Sequence, residues 1–244
     1  MRIIITGSRG FIGTHLKNRL EKDDHEIIEW DTKIGKDIKD FELELNTNYV
    51  IHLAAFAGVR QSIEEPEKYW TNNAEYTKHI QHTCFHNHVP LLYASSSCIH
   101  NWWLSPYGTS KKVNEITAYP NQVGLRFTTS YGENARDNML IPKLINGSIR
   151  DVTNHIRDFI HVDDVVNAIV LLMSKDIRLL KPVYDIGTGT GIVVSKLAKI
   201  AGYDNLPVIE GQACEAKDNT ANNQDLIDLG WNPTYKVEDY VRRK

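Results

Sequence analysis

The sequence predicts an α/β fold, a doubly wound parallel sheet followed by a small C-terminal lobe, and three observations predict it. Short runs of β-branched and aliphatic residues alternate with longer helical patterns up to Tyr131. A glycine-rich stretch, Gly7 to Gly13, separates the first run from the pattern after it. Beyond Gly187 the chain turns polar and poor in helical spacing. Strands alternating with helices make parallel βαβ units, which place helices over both faces of one sheet.

Each element carries its own signal. The strand runs are Ile3–Thr6, Glu26–Trp30, Tyr49–Leu53, Leu91–Ser95 and Val123–Phe127. Helical spacing covers Gly10–Lys22, Pro66–Asn87 and Pro106–Ala118. Past Tyr131 the pattern gives a short helix at Ile141–Ile145, a return to the sheet at Phe159–Val162, a helix at Val165–Met173 and a strand at Val183–Ile186. The tail adds helical pieces at Ser195–Ala201 and Leu226–Leu229.

Composition narrows the class. The chain has 244 residues, 41% hydrophobic and 24% charged, enough to bury a sizeable core and too apolar for disorder. A net charge of -3 argues against a general nucleic-acid binder, so an anionic substrate needs a local site. Cys84, Cys98 and Cys214 show no CxxC spacing and fit reduced thiols in a cytoplasmic protein. The apolar start is a strand rather than a signal peptide, and no stretch reaches transmembrane length.

The first chemical motif is Gly7-Ser8-Arg9-Gly10-Phe11-Ile12-Gly13, between a strand and a helix. Glycines there let the backbone turn tightly and approach a pyrophosphate at the positive helix N-terminus. Asp31 closes the second strand, where an acid grips a ribose diol, and the fold is then Rossmann-type. A carboxylate at that place repels a 2′-phosphate, so NAD is favoured over NADP. Arg9 argues the other way, since a guanidinium in the loop could meet that phosphate; its plain alternative is a solvated surface arginine. On this reading residues 1–131, with about 157–186, form the NAD-binding domain, and about 132–156 with 187–244 form the substrate lobe.

The second motif is Tyr107-Gly108-Thr109-Ser110-Lys111, whose Tyr and Lys share one helix face. An ammonium and a nicotinamide cation nearby would stabilise a tyrosinate and bring its pKa toward that of a working base. Ser95-Ser96-Ser97 stands just upstream, at the C-terminal end of a strand, where open α/β sheets bind ligands.

With these motifs, the order of His52-Leu53-Ala54-Ala55, Leu125-Arg126, Tyr131-Gly132 and Arg157-Asp158-Phe159-Ile160-His161-Val162-Asp163-Asp164 resembles the extended short-chain dehydrogenases that act on nucleotide sugars. The likeness runs on to Asp185-Ile186-Gly187 and Leu229-Gly230-Trp231-Asn232-Pro233. Ala57-Gly58-Val59-Arg60-Gln61-Ser62-Ile63-Glu64 with Pro66 is most similar to UDP-glucuronate 4-epimerases.

The resemblance implies roles. Ser96 bonds the reacting sugar oxygen, with Ser97 as the alternative; Tyr107 is the base and Lys111 its partner. Gly7, Arg9, Gly10, Phe11, Ile12, Gly13, Asp31, Asp37, Ile38, Leu53, Ala54, Ala55, Asn73 and Ser95 border the cofactor together with Tyr107 and Lys111. Arg157 holds the substrate diphosphate, with an Arg157–Asp salt bridge as the structural alternative, and Thr129 and Asn138 lie near sugar and diphosphate.

The implied function is NAD-dependent epimerisation of a nucleotide sugar, a UDP-sugar first, through a transient 4-keto intermediate. Dehydratases resembling this family carry an Asp-Glu pair after the catalytic hydroxyl, where Ser97-Cys98 stands here. A GDP-fucose-synthase-like epimerase/reductase is the alternative; Met139 stands near the place of its histidine. A nucleotide-binding regulator without turnover is the other. Only ten residues, Ser97 to Pro106, separate Ser96 from Tyr107, fewer than is usual in the family.

Two features remain. His79, His82, His86 and His88 crowd one helix without a supporting Cys or carboxylate, so solvated or interface histidines are expected and no metal. The same helix bears Tyr69, Trp70, Tyr76, Ile80 and Phe85, more than one buried stripe needs, and a homodimer is expected to cover the surplus.

Overall fold

Ile3, Ile4 and Ile5 are wholly buried, and their alternation explains the layering of the molecule. Ile3 and Ile5 face one apolar cluster and Ile4 the other, as successive strand residues must. A strand buried on both faces reads as a continuous apolar run, and each such side chain contributes about 1.5–3 kcal/mol.

The computed structural model describes residues 1–242; the last two positions of the expected 187–244 segment lie outside the described residues. The first half runs β1 (Arg2–Thr6), α1 (Phe11–Lys22), β2 (Glu26–Trp30), β3 (Tyr49–His52), α2 (Val59–Glu64), α3 (Pro66–Trp70), α4 (Tyr76–His86) and β4 (Leu91–Ser96). It continues with α5 (Pro106–Thr117), β5 (Gln122–Phe127), β6 (Thr129–Tyr131), α6 (Leu140–Asn146), β7 (Ile156–His161), α7 (Val162–Met173) and β8 (Val183–Ile186). The tail adds β9 (Gly191–Val193), α8 (Val194–Ile200), α9 (Gln224–Asp228) and α10 (Val237–Val241).

Six parallel strands form the main sheet in the order β2-β1-β3-β4-β5-β8. Chain order reverses at β1, with β2 on one side and β3 on the other, and ligands of such sheets bind at that crevice. One face is covered by Leu16 and Leu20 of α1 with Val165 and Ile169 of α7. The other is covered by Ile80 and Cys84 of α4, with α5 packed beside α4 and against β4. No helix among the described residues is long and apolar enough to cross a membrane.

Two expected elements take another form, and α2, β6, β9 and α10 arise where no element is expected. The strand expected to return to the sheet forms β7 instead, which pairs with β6 and β9 in a separate three-stranded sheet. That sheet shares a core with Leu144 of α6, Leu197 of α8 and Val237 and Val241 of α10. The single helix expected from Pro66 to Asn87 is α3 and α4 joined by a π-helical turn, Thr71–Glu75. The turn holds Asn73, whose buried amide accepts from Phe56 N at 2.9 Å and donates to Phe56 O at 2.8 Å. A π turn shifts the helix register by one residue and brings this polar side chain onto the inner face.

The Arg157–Asp164 motif has a structural use as well. Asp158 is fully buried and takes N–H groups from Thr188, Gly189 and Ala221 at 2.8, 2.9 and 3.2 Å, with the Thr188 hydroxyl at 2.6 Å. Asp164 likewise accepts Thr234 N and Tyr235 N at 3.0 and 3.1 Å. Two buried carboxylates thus tie the C-terminal segment to β7 and α7.

Candidate active site

The loop after β1 is shaped by its glycines. Gly7 has φ +70, and a Cβ there would stand 2.8 Å from Ala54 N, so only glycine lets the loop lie against the chain leaving β3. A Cβ on Gly13 would collide with the Gly7 carbonyl. At Gly10 a Cβ would meet only Gly7 O, at 3.1 Å, because that residue faces open space. Gly10 also caps α1 with no side chain, so first-turn N–H groups are presented to whatever anion enters.

A cleft of about 400 Å³ opens there. Gly7, Gly10, Phe11, Ile12, Gly13, Leu53 and Ala55 line one end, and Ser95, Ser96, Ser97, Tyr107 and Lys111 the other. Ser130 lines it too, and its buried hydroxyl finds no partner among the described residues. An orphaned hydroxyl and an unfilled glycine cradle fit an extended, polar, phosphate-bearing cofactor such as NAD.

The remaining cofactor candidates stand outside this lining. Asp31 accepts Arg9 N and Lys33 N, both at 2.9 Å, which fixes it beside the glycine loop and leaves lone pairs for a ribose diol. The Arg9 guanidinium reaches Glu29 at 2.6 Å through both Nε and Nη2, so it is committed there and not held toward a 2′-phosphate. Asp37 caps a 3₁₀ turn through Lys39 N, and Ile38 is a core residue. Ala54 N donates to Thr6 Oγ1 at 3.2 Å. Asn73 acts on the Phe56 loop and does not line the cleft. His52 is pinned between Thr6 at 2.6 Å and Thr77 at 2.9 Å; burial, then the charge of Lys111, pushes its pKa down to about 3.

Capping sets the candidate catalytic residues. Ser96 ends β4 and accepts Cys98 N at 3.2 Å, opening the 3₁₀ stretch Ser97–Leu104. Ser105 then caps α5 through Gly108 N at 3.0 Å, with Pro106 in the first turn. Tyr107 is thereby buried at the start of α5, with Lys111 one turn on. The expected lowering of the phenol is not supplied by Lys111. Burial, first, and the nearby Cys98 push Tyr107 up, while a hydrogen bond with Ser96 and the charge of Arg136 pull it down. Burial also pushes Lys111 down to about 7, and its amine donates to Ala94 O at 2.8 Å. Ser95 turns its hydroxyl away, onto Glu115 at 2.6 Å.

Beyond Tyr107 a pocket of about 170 Å³ is lined by Cys98, Asn101, Thr129, Arg157, Glu215 and Asn219. A wider recess of about 720 Å³ adds Arg60, Arg136, Asn138, Lys143 and Arg150. Arg157 donates to Ile156 O at 2.8 Å and to His155 at 3.0 Å, so the structural Arg157–Asp pair is not made among the described residues. Burial lowers its pKa, which marks a charge with little water around it. Asn138 sits exposed on the rim, away from Tyr107. Arg136, Asn219, Phe127, Thr128, Ser130 and Met139 also line the cleft; of these only Met139 carries a sequence signal, as the residue near the place of the GDP-fucose-synthase histidine, and the others carry none as site residues. The helix histidines are exposed: His79 meets Phe41 O at 3.0 Å, and the His82 and His86 rings lie tilted to each other with centroids 4.1 Å apart. No group of three metal-ligating side chains forms among the described residues.

Known proteins resemble this chain in sequence and fold. The chain is 30% identical to Protein CapI of Staphylococcus aureus over 326 aligned residues, covering 100% of this chain and 97% of that one. The alignment is longer than the 244-residue chain, which is therefore trimmed relative to CapI. It is 24% identical to the UDP-glucose 4-epimerase of Pisum sativum, covering 99% of this chain and 93% of that one. The solved structure of MoeE5 in complex with UDP-glucuronic acid and NAD matches with a TM-score of 0.86 and 26% identity, covering 99% and 96% of the two chains. Residues 3–187 match the model of the NAD dependent epimerase/dehydratase family. With the glycine cradle, the serine-ended strand and the tyrosine–lysine helix in their places, the chain belongs to that NAD-dependent family of nucleotide-sugar enzymes.

Proposed function

We propose that the protein interconverts UDP-sugars epimeric at C4, using NAD. The observation that carries this reading is the convergence of Ser96, Tyr107 and Lys111 on one cleft, with Ser97 and Cys98 next in the chain. NAD, bound along the glycine loop, supplies a hydride acceptor that can return the hydride. Tyr107 takes the proton of the sugar 4-hydroxyl, Ser96 holds that oxygen, and Lys111 stands behind Ala94 to place charge as the phenol ionises. A return of hydride to the other face needs no further acid or base. Elimination of water would, and neither Ser97 nor Cys98 is suited: burial pushes the Cys98 thiol up.

The substrate recess is rich in cations. Arg157, Arg60, Lys143 and Arg150 suit a diphosphate, although Arg60 already binds Glu215 at 2.7 Å. Arg136 joins recess and catalytic cleft and forms no ion pair among the described residues, which favours UDP-glucuronate over UDP-glucose and its N-acetyl derivative. The commitment of Arg9 to Glu29 disfavours the NADPH-dependent reductase alternative.

Product analysis with UDP-glucuronate, UDP-glucose, UDP-N-acetylglucosamine and a GDP-sugar tests this. Tyr107→Phe is expected to keep NAD binding and lose ~10²–10⁴-fold in turnover. A near-normal rate in that variant removes Tyr107 as the base.

A further inference from the structure

Asn219 comes from the polar C-terminal stretch, far along the chain from the catalytic residues, yet lines both the cleft of Tyr107 and the pocket of Arg157. Its amide faces three partners. Oδ1 accepts Asp158 N at 2.9 Å, while Nδ2 lies 3.2 Å from Thr129 Oγ1 and 3.5 Å from Ser97 Oγ. A backbone N–H can only donate, so the atom facing Asp158 must be the amide oxygen. The NH₂ group therefore faces the two hydroxyls.

This fixes their polarity. Thr129 and Ser97 accept from Asn219, and their own protons must point elsewhere. Ser96 is held the same way, accepting Cys98 N at 3.2 Å. Ser97 and Thr129 thus have their oxygens engaged by the amide and their protons left for the cleft, while the Ser96 proton faces Tyr107. We propose that Asn219 is a positioning residue that sets Ser97 and Thr129 as hydrogen-bond donors toward the sugar, so that this wall reads acceptor oxygens. The inference rests on the UDP-sugar reading above. It adds that a sugar carboxylate, which only accepts, matches the wall better than a hydroxymethyl group, which must also place a proton.

Asn219→Asp is the direct test, because the carboxylate keeps an oxygen for Asp158 N and offers the hydroxyls an acceptor. With the NAD-loaded protein, kcat/KM for UDP-glucuronate and its Kd by calorimetry are expected to worsen ~10–100-fold. Melting temperature and NAD affinity should stay at wild-type values. Asn219→Ala, which removes the donor without reversing it, should fall between the two. In a Ser97→Ala/Thr129→Val background, Asn219→Asp should cost nothing more, since its targets are gone. Wild-type affinity in Asn219→Asp, an equal loss in both backgrounds, or Asn219→Ala worse than Asn219→Asp would overturn the proposal. The parent reading fails separately, on the wild-type protein alone, if no UDP-sugar is epimerised.

Discussion

Lys111 carries an amine into a site only 2% exposed, and the cost of charging it there is visible in its pKa. In the unfolded chain the amine holds its proton up to 10.5; in the folded protein only up to about 7. Between those values the unfolded state binds more protons, so folding stability rises with pH across that window. The expected result is a melting temperature that climbs from pH 7 to pH 9 in the protein without cofactor, with a flatter profile in Lys111→Met. Thermal scans over that range check it; parallel profiles for the two proteins would mean that Lys111 keeps its charge. The same depressed value fits catalysis, since an amine near its balance point responds to a tyrosinate or a cationic ring placed beside it. His52, one strand away, answers the same desolvation by staying neutral. None of this was legible from Tyr107 and Lys111 as letters, because spacing reports a shared helix face and not how deeply that face is buried.

Elements were legible in proportion to how local their causes are. The five strands up to Phe127 agree with the apolar runs to within a residue at each end; in β1, β3 and β4 this is because a strand buried on both faces has no polar face to blur its pattern. The glycine loop was legible for a similar reason: its shape depends on missing Cβ atoms. β6 and β9 were not, being three residues each and defined only by their pairing with β7. Nor was the π turn, whose cause is an Asn73 amide reaching a loop seventeen positions earlier. The tip of β2 gives the prediction at this scale. Asp31 and Glu29 together hold the space where a 2′-phosphate would lie, one by its charge and one by occupying Arg9. NAD should bind more tightly than NADP. Asp31→Ser should narrow the difference, and adding Glu29→Gln, which releases Arg9, should narrow it further. Titration of both dinucleotides by fluorescence decides; tighter NADP binding by the unaltered protein contradicts the assignment.

At the scale of the molecule, α3, α5 and the stretch before α5 leave apolar side chains exposed, whereas Tyr69 and Ile80 of the expected surplus are buried and Phe85 stacks on Tyr119. Trp70 is 44% exposed, Trp103 62% and Ile116 69%, and they stand on or beside adjoining helices. We propose that a second copy covers this face about a twofold axis, so that the same patch meets itself. Sedimentation at micromolar concentration is expected to give twice 27.9 kDa, and Ile116→Lys to shift it toward the monomer. A single species at 27.9 kDa in the unaltered protein would refute it. Asp158 has another kind of consequence. The family match ends at residue 187, but the carboxylate of Asp158, inside that match, is solvated by groups at 188, 189 and 221. A cut at the end of the match would remove those donors together with part of the chain that buries the carboxylate. Each hydrogen-bond partner lost from a buried group typically costs about 1–3 kcal/mol, more for a charged one, against a stability of about 5–15. The smallest piece that keeps these donors is therefore set by where one buried charge finds them, and reaches at least to Ala221.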